Sequence, residues 1–448
     1  MKHLKFMNWM KTTLSLLIVM LAAASCQKKE PIVITPDDFR NSVDQVTDIM
    51  VHDIFSPPVA SRIYSYPNIA AYEIVAQGDS TYQSLAGQIN GLTAIPAPEN
   101  KNLNYPVAAM VAHMNLSQSL IFSEDRMQHF SDSLYQKWSQ QNEEEFTTAK
   151  AYGLKVANHI RAWMNDDLYK ETRTMSKFTV DTDDPARWQP TPPAYMDGIE
   201  PHWMKIRPFV LDSSNQLQPI PPPEFSLEKD SQFYKELLEV YEVSQGITEA
   251  GDTSEEIGIA QFWDCNPYVS VTRGHLMFAT KKITPGAHWI GITEIATEQA
   301  ETDFNATVHA YTKTSMAIFD GFISCWDEKY RSNLIRPETL INLYIDENWK
   351  PILQTPPFPE YTSGHSVVSG AASTVLTGIF GDDFAFDDDT ELPFGIPIRS
   401  FPSFNKAADE AALSRLYGGI HYRAAIDEGL KQGRSLGTLI NETITMKN

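Results

Sequence analysis

Apolar residues recur at helical spacing along most of this chain, and neither a strand–turn–strand rhythm nor an internal repeat interrupts them. That pattern restricts the chain to helices packed on helices. The spacing predicts helices over 37–52, 106–122, 124–140, 143–164, 229–243, 254–262, 288–300, 303–327, 364–380, 405–417 and 422–439. Ser56 is placed to cap another that runs to about Ala76, with Pro57 in its first turn. The expected fold is an all-α helical bundle with long irregular loops feeding a site at helix ends. The longest irregular stretch is Asp181–Glu224, with prolines at 190, 192 and 193 and again at 219 and 221–223. It reads as a surface connection, or as a lid or funnel wall.

The first residues stand apart from the bundle. Lys2, Lys5 and Lys11 precede an apolar run from Thr12 to Ala24 that is too short to span a bilayer comfortably. The run ends in Ala23-Ala24-Ser25-Cys26, which resembles a bacterial lipobox, although Ala23 stands where leucine is common. The resemblance implies a lipoprotein signal peptide over 1–25, a tether over 26–36, and an exported protein held to a membrane only through lipid on Cys26, periplasmic or on the outer membrane. The other reading is a plain secretory signal with a chance cysteine. Beyond the tether, 37–245 reads as an N-terminal helical part and 246–448 as a C-terminal part. Only Cys265 and Cys325 remain. They supply neither a disulfide framework nor a cysteine-rich metal site, and are either one bridge or two buried thiols.

A formal net charge of −21 argues against nucleic acid as a partner. A cluster of cations within so acidic a chain therefore needs a local reason. Three stretches supply one. Lys329 and Arg336-Pro337 follow the predicted 303–327 helix, Thr362-Ser363-Gly364-His365 opens the next long one, and Ser414-Arg415 leads to His421 between the last two. Arginine's planar fork suits a tetrahedral oxyanion, and lysine adds a compact charge. Ser363 offers a hydroxyl. The Gly364 amide falls at a helix N-terminus, where unsatisfied N–H groups and the dipole favour anions. His365 and His421 can serve as ligand, nucleophile or acid–base group. Three cations suit an anion such as vanadate or phosphate rather than a neutral ligand.

In this order, Lys-x6-Arg-Pro, Ser-Gly-His and Ser-Arg-x5-His resemble the signature of the phosphatidic acid phosphatase type 2 (PAP2) and vanadium haloperoxidase superfamily. The motifs cover about Trp326 to Asp427. Two positions depart from the signature. Thr362 replaces a proline, and Ala425 replaces the Asp expected four residues after the last histidine; Asp427 is out of register. Something else must then orient His421, for instance a backbone carbonyl. Within the superfamily the chain looks most like bacterial (Bacteroidetes) iodoperoxidases. That likeness rests on Pro356-Pro357-Phe358-Pro359-Glu360-Tyr361, on Trp326 one turn before Lys329, and on Arg62 with the Ser-Pro-Pro-Val-Ala-Ser-Arg-Ile-Tyr run around it.

The resemblance implies a vanadate-dependent haloperoxidase that oxidises halide, iodide first and bromide second, with hydrogen peroxide, to a hypohalous-type species that reacts with an organic acceptor. It implies vanadate as cofactor, with His421 as its metal ligand. Lys329, Arg336, Ser363, Gly364 and Arg415 would bind its oxygens, Lys329 also polarising bound peroxide, and His365 would act as acid–base. Trp326 and Phe358 become candidates for the halide and peroxide pocket. The alternatives are a soluble PAP2-type acid phosphatase that forms a phosphohistidine at His421, and a phosphate-binding lipoprotein without turnover.

Overall fold

The computed structural model describes residues 29–448 apart from 101, 252, 268–269, 274–275 and 280. The expected signal peptide and Cys26 lie outside the described residues. Within the span read as a tether, residues 32 and 34 already join the core. Ile32 and Ile34 are buried, and the Ile32 amide donates to Glu145 at 3.0 Å.

The helices start where side chains can satisfy their first amides. Thr35 and Asp38 form a reciprocal capping box on α1 (Pro36–Asp53), and Ser56 caps α2 (Pro57–Gly78) as expected. α3 (Tyr105–Gln118) leads to α4 (Glu124–Asn165), which carries a non-helical Asn142 (φ −154°) at the break expected between two helices. The short α5 (Tyr169–Thr172) precedes the proline-rich stretch. α6 (Gln232–Ala250), α7 (Glu255–Phe262), α8 (Pro285–Gln299), α9 (Phe304–Ser332), α10 (Pro337–Tyr344), α11 (Gly364–Phe380), α12 (Phe404–Tyr417) and α13 (Arg423–Thr443) complete the bundle. No helix among the described residues is long and apolar enough to cross a membrane.

α9 is the spine. It is buried along nearly its whole length, packing on α2 on one side and on α11 on the other. The largest buried cluster accordingly runs from Ile32 to Met446 through both parts of the chain. α11 and α13 approach so closely that a Cβ on Gly433 would lie 2.0 Å from the Val367 carbonyl oxygen, and one on Gly370 would lie 2.7 Å from that of Leu430. This contact brings the N-termini of the two helices together, and the Ser363 amide donates to Ala425 O at 3.0 Å.

Three expectations are corrected. Two antiparallel hairpins interrupt the helices: β1 (Ser270–Arg273) with β2 (Leu276–Ala279), and β3 (Phe386–Asp388) with β4 (Arg399–Phe401). Strands of three and four residues are too short to print a readable alternation. Lys329 lies inside α9 rather than beyond it, because no breaker intervenes before Asn333, which ends the helix in the left-handed conformation (φ 48°). The 181–224 stretch is more than a surface connection. Trp188 N–H donates to Asn333 O, Ile199 O accepts from Tyr330 and Trp326, and the Phe209, Val210 and Leu211 amides all donate to Asp320 of α9 at 2.7–3.1 Å.

Candidate active site

The last turn of α9 presents Trp326 and Lys329 on one face. Arg336 is the residue before Pro337 and holds an extended conformation just ahead of α10. Ser363 caps α11, accepting the Ser366 amide, which leaves its hydroxyl proton free to donate elsewhere. Arg415 closes α12, and His421 sits in the turn into α13. The fold thus brings all three motifs to one place. A small cavity of about 30 Å³ is bordered by Trp326, Phe358, Gly364, His365, Arg415 and His421. Arg336 Nη1 reaches His421 Nε2 at 3.1 Å. Lys329 Nζ lies 4.9 Å from the Phe358 ring centre, and that ring packs on Trp326 at 5.0 Å. Ser363 is adjoined through Gly364. A Cβ on Gly364 would point at Trp326 and Lys329, so the missing side chain keeps the helix N-terminus open toward the cations.

The cations are held by carbonyls. Lys329 donates to Pro359 O and Glu360 O at 3.0 and 2.9 Å. Arg336 donates to Phe358 O and Ile420 O, and Arg415 to Trp263 O. Each retains unused donor capacity. Lys329 has a third N–H, while Arg336 Nη2, Arg415 Nε and His365 Nε2 are buried without partners among the described residues. Burial pushes the Lys329 ammonium down to about 7, and Arg336 down to about 10. Buried polar groups left unmade are costly. Several of them around one cavity mark the place of an oxyanion, and the donor set fits vanadate or phosphate.

Sequence reasoning missed Glu360. Its Oε1 accepts from His421 Nδ1 at 2.7 Å and from the Tyr422 amide at 3.0 Å. A carboxylate, not a backbone carbonyl, therefore replaces the Asp absent at Ala425. Burial pushes Glu360 up to about 8 against the pull of Arg336 and Lys329. The donor directions fix the proton. Arg336 can only donate, so it requires a lone pair on His421 Nε2, which puts the imidazole proton on Nδ1 toward Glu360. Burial and then Arg336 hold the His421 pKa well below the usual histidine value, so the ring is neutral. The result is an oriented neutral imidazole whose Nε2 lone pair now accepts from Arg336, and which a metal would take over from that guanidinium.

His365 also departs from expectation. Burial, then Arg415, depress its pKa well below 6.5. Burial is the main cause and the neighbouring positive charge adds to it, and an anion in the cradle would offset that second part. Arg62 does not belong to the cavity. It pairs with Asp167 at 2.7 Å, and the prolines before it supply the contact instead, with Pro57 on the cavity wall. Cys265 and Cys325 are separate, free and buried. Thr362 donates to Gln432 at 2.8 Å, and the exposed Asp427 takes no part.

A family model described as the VCPO second helical-bundle domain matches residues 309–447. A crystal structure of a bacterial vanadium-dependent iodoperoxidase superposes with a TM-score of 0.91 at 67% identity, over 94% of this chain and 99% of that one. The holo form of a bacterial vanadium-dependent chloroperoxidase shares the fold, with a TM-score of 0.66 at 17% identity, over 87% of this chain and 93% of that one. A vanadium-dependent bromoperoxidase of Corallina officinalis is 30% identical over 103 residues; that match spans 20% of this chain and 17% of the algal enzyme.

Proposed function

The chain belongs to the vanadium-dependent haloperoxidases, and on that premise we propose that its cradle binds vanadate and oxidises halide with hydrogen peroxide, iodide in preference to bromide. The observation that carries this reading is the neutral His421, oriented by Glu360 and Arg336, beside Arg336 Nη2, Arg415 Nε and His365 Nε2, which have no partner among the described residues. The chemistry that vanadate supplies when bound is to make hydrogen peroxide electrophilic toward halide.

The chain's own residues do the rest. His421 Nε2 would hold the metal, and Glu360 keeps that nitrogen unprotonated by accepting a hydrogen bond from Nδ1–H, which holds the proton there. Lys329, Arg336 and Arg415 would balance the charge on the oxygens, joined by the Ser363 hydroxyl and the Gly364 amide. Lys329, fixed by two carbonyls, keeps one N–H and would draw electron density from an oxygen placed against it. His365 Nε2 would take and return the proton as peroxide enters and water leaves. Trp326 and Phe358 supply an apolar, polarisable wall suited to a large soft anion. Iodide is the easiest of the halides to oxidise and needs the least activation, and the 67%-identical relative is an iodoperoxidase.

The test is to strip the protein with a chelator, add orthovanadate, and follow peroxide-dependent oxidation of iodide, bromide and chloride. Activity that returns with vanadate, iodide leading, is expected. Chloride as the best substrate refutes the ranking. Phosphomonoester hydrolysis inhibited by vanadate, with no halide oxidation, would make His421 the nucleophile of a phosphatase. Anion binding that survives replacement of both histidines, with no turnover of either kind, would leave a binding protein. Export with lipid on Cys26 is a separate proposal, supported by the three lysines and the Ala-Ala-Ser-Cys run; mass spectrometry of the mature N-terminus decides it.

A further inference from the structure

Beside the cradle, with Cys265 on the wall of the same cavity, lies a second cluster that the proposed reaction does not use. Cys265 follows α7, His288 lies in the first turn of α8, and Glu391 comes just after β3. All three are at most 1% exposed. Cys265 Sγ is 3.4 Å from His288 Nδ1 and 3.7 Å from Glu391 Oε1, and the latter two atoms are 3.5 Å apart. An imidazole N–H donating to a carboxylate would close to about 2.7–3.2 Å. One zinc ion with ordinary bonds to sulfur, nitrogen and oxygen in tetrahedral geometry would instead space its ligands about 3.3–3.6 Å apart. We propose that Cys265, His288 and Glu391 bind a structural zinc ion, with a fourth position left to water.

The surroundings fit that role. The other nitrogen of His288, Nε2, meets Asp388 Oδ2 at 2.9 Å and Thr390 Oγ1 at 2.8 Å, and Thr390 in turn donates to Asp388 through its amide and hydroxyl. A carboxylate behind a histidine commonly fixes the tautomer that turns the facing nitrogen to a metal. Thiolate, imidazole and carboxylate together are a zinc donor set. Without a cation, burial pushes the Cys265 thiol up to about 11, and a metal is what lets a buried thiol ionise. The site would brace the cradle. His288 stacks on Trp263 at 4.4 Å, and the Trp263 carbonyl accepts from Arg415. The ion would thus pin the Trp263–Cys265 segment, which borders the cavity through Cys265.

The proposal is independent of halide chemistry and is read on the full chain by zinc content and zinc-edge X-ray absorption. About one zinc ion per chain is expected after dialysis, with one sulfur in its first shell. Cys265→Ser should lose the ion and Cys325→Ser should keep it. Asp388→Asn retains all three ligands and should weaken zinc binding by about 10–100-fold. A wild-type chain that takes up no zinc from a solution of zinc salt overturns the proposal, whatever the variants do. So does an absorption spectrum without sulfur, or a folded Cys265→Ser that binds zinc as wild type does.

Discussion

Arg62 and Arg336 are both buried arginines, and their surroundings differ. Arg62 meets Asp167 at 2.7 Å, and the same carboxylate accepts from Tyr66; the guanidinium also lies 4.4 Å from the Tyr169 ring centre. Its charge is answered from within the chain, so it braces α2 against the end of α4. Arg336 rests on two carbonyls and a histidine nitrogen, with Nη2 left over, beside two more cations that also keep unused donors. Its charge is answered from outside. A buried cation with its own carboxylate is architecture. Buried cations that converge with unspent donors describe the shape and charge of a ligand.

The comparison breaks most visibly at the ligand atom. His421→Ala should abolish vanadate binding and halide oxidation together, measured by metal content and iodide turnover. If bound vanadate persists, another residue holds the metal. His365→Ala should keep the metal and lose roughly 10²–10⁴-fold in turnover, the usual worth of a positioned acid–base group. Glu360→Gln should weaken vanadate binding by about 10–100-fold, since it disturbs the partner that orients a ligand; an unchanged titration would show that Glu360 only fills space.

The Lys329 effect is graded by pH. Its ammonium is pushed down to about 7 in the free cradle, so as pH rises above that value the cation is lost and an arriving anion must first recover a proton. Lys329 should thus weaken vanadate binding by up to about tenfold per pH unit above neutrality, because the proton taken up becomes tenfold scarcer with each unit. The measurement is the difference in pH slope between wild type and Lys329→Met; equal slopes would remove Lys329 from the linkage. The smallest effect at the cofactor is expected from the other cluster. Asp167→Asn leaves Arg62 buried and unpaired, which should cost about 3–5 kcal/mol of stability. Vanadate affinity of the folded protein should stay as in wild type; denaturant melts and vanadate titration separate the two.

The cradle was legible because each of its cations lies in a short motif whose residues remain near neighbours after folding. Arg336 with Pro337, Ser363 with Gly364, and Ser414 with Arg415 keep their local geometry whatever the rest of the chain does. Glu360 was not legible. It is a single carboxylate in a proline-rich run, and it becomes a partner of His421 only across 61 residues, once α11 and α13 have closed on each other. The same closure accounts for Ala425, which is fully buried with its carbonyl bonded to Ser363. Lys329 was misplaced because a helix end set by Asn333 alone carries a weak signal. The Cys265–His288–Glu391 cluster draws on three elements with no motif between them, so spacing along the chain could not reveal it.

The clamp of Asp320 on three successive amides has a consequence for what kind of catalyst this can be. It staples the 181–224 segment to the spine, and that segment in turn receives the Trp326 and Tyr330 donors at Ile199. Trp326, which borders the cavity, is held in place by that segment and forms a fixed wall. The cavity is about 30 Å³, the room of two or three waters at roughly 10–15 Å³ each, and vanadate would take up most of it. Beside it a peroxide or a halide ion is small enough to approach, whereas an organic acceptor is not. If halide oxidation is the reaction, the oxidised halogen has to depart before it finds its target. Which carbon it attacks would then be decided in bulk solution by the acceptor's own nucleophilicity, and the protein would govern only where and how fast the reagent is released.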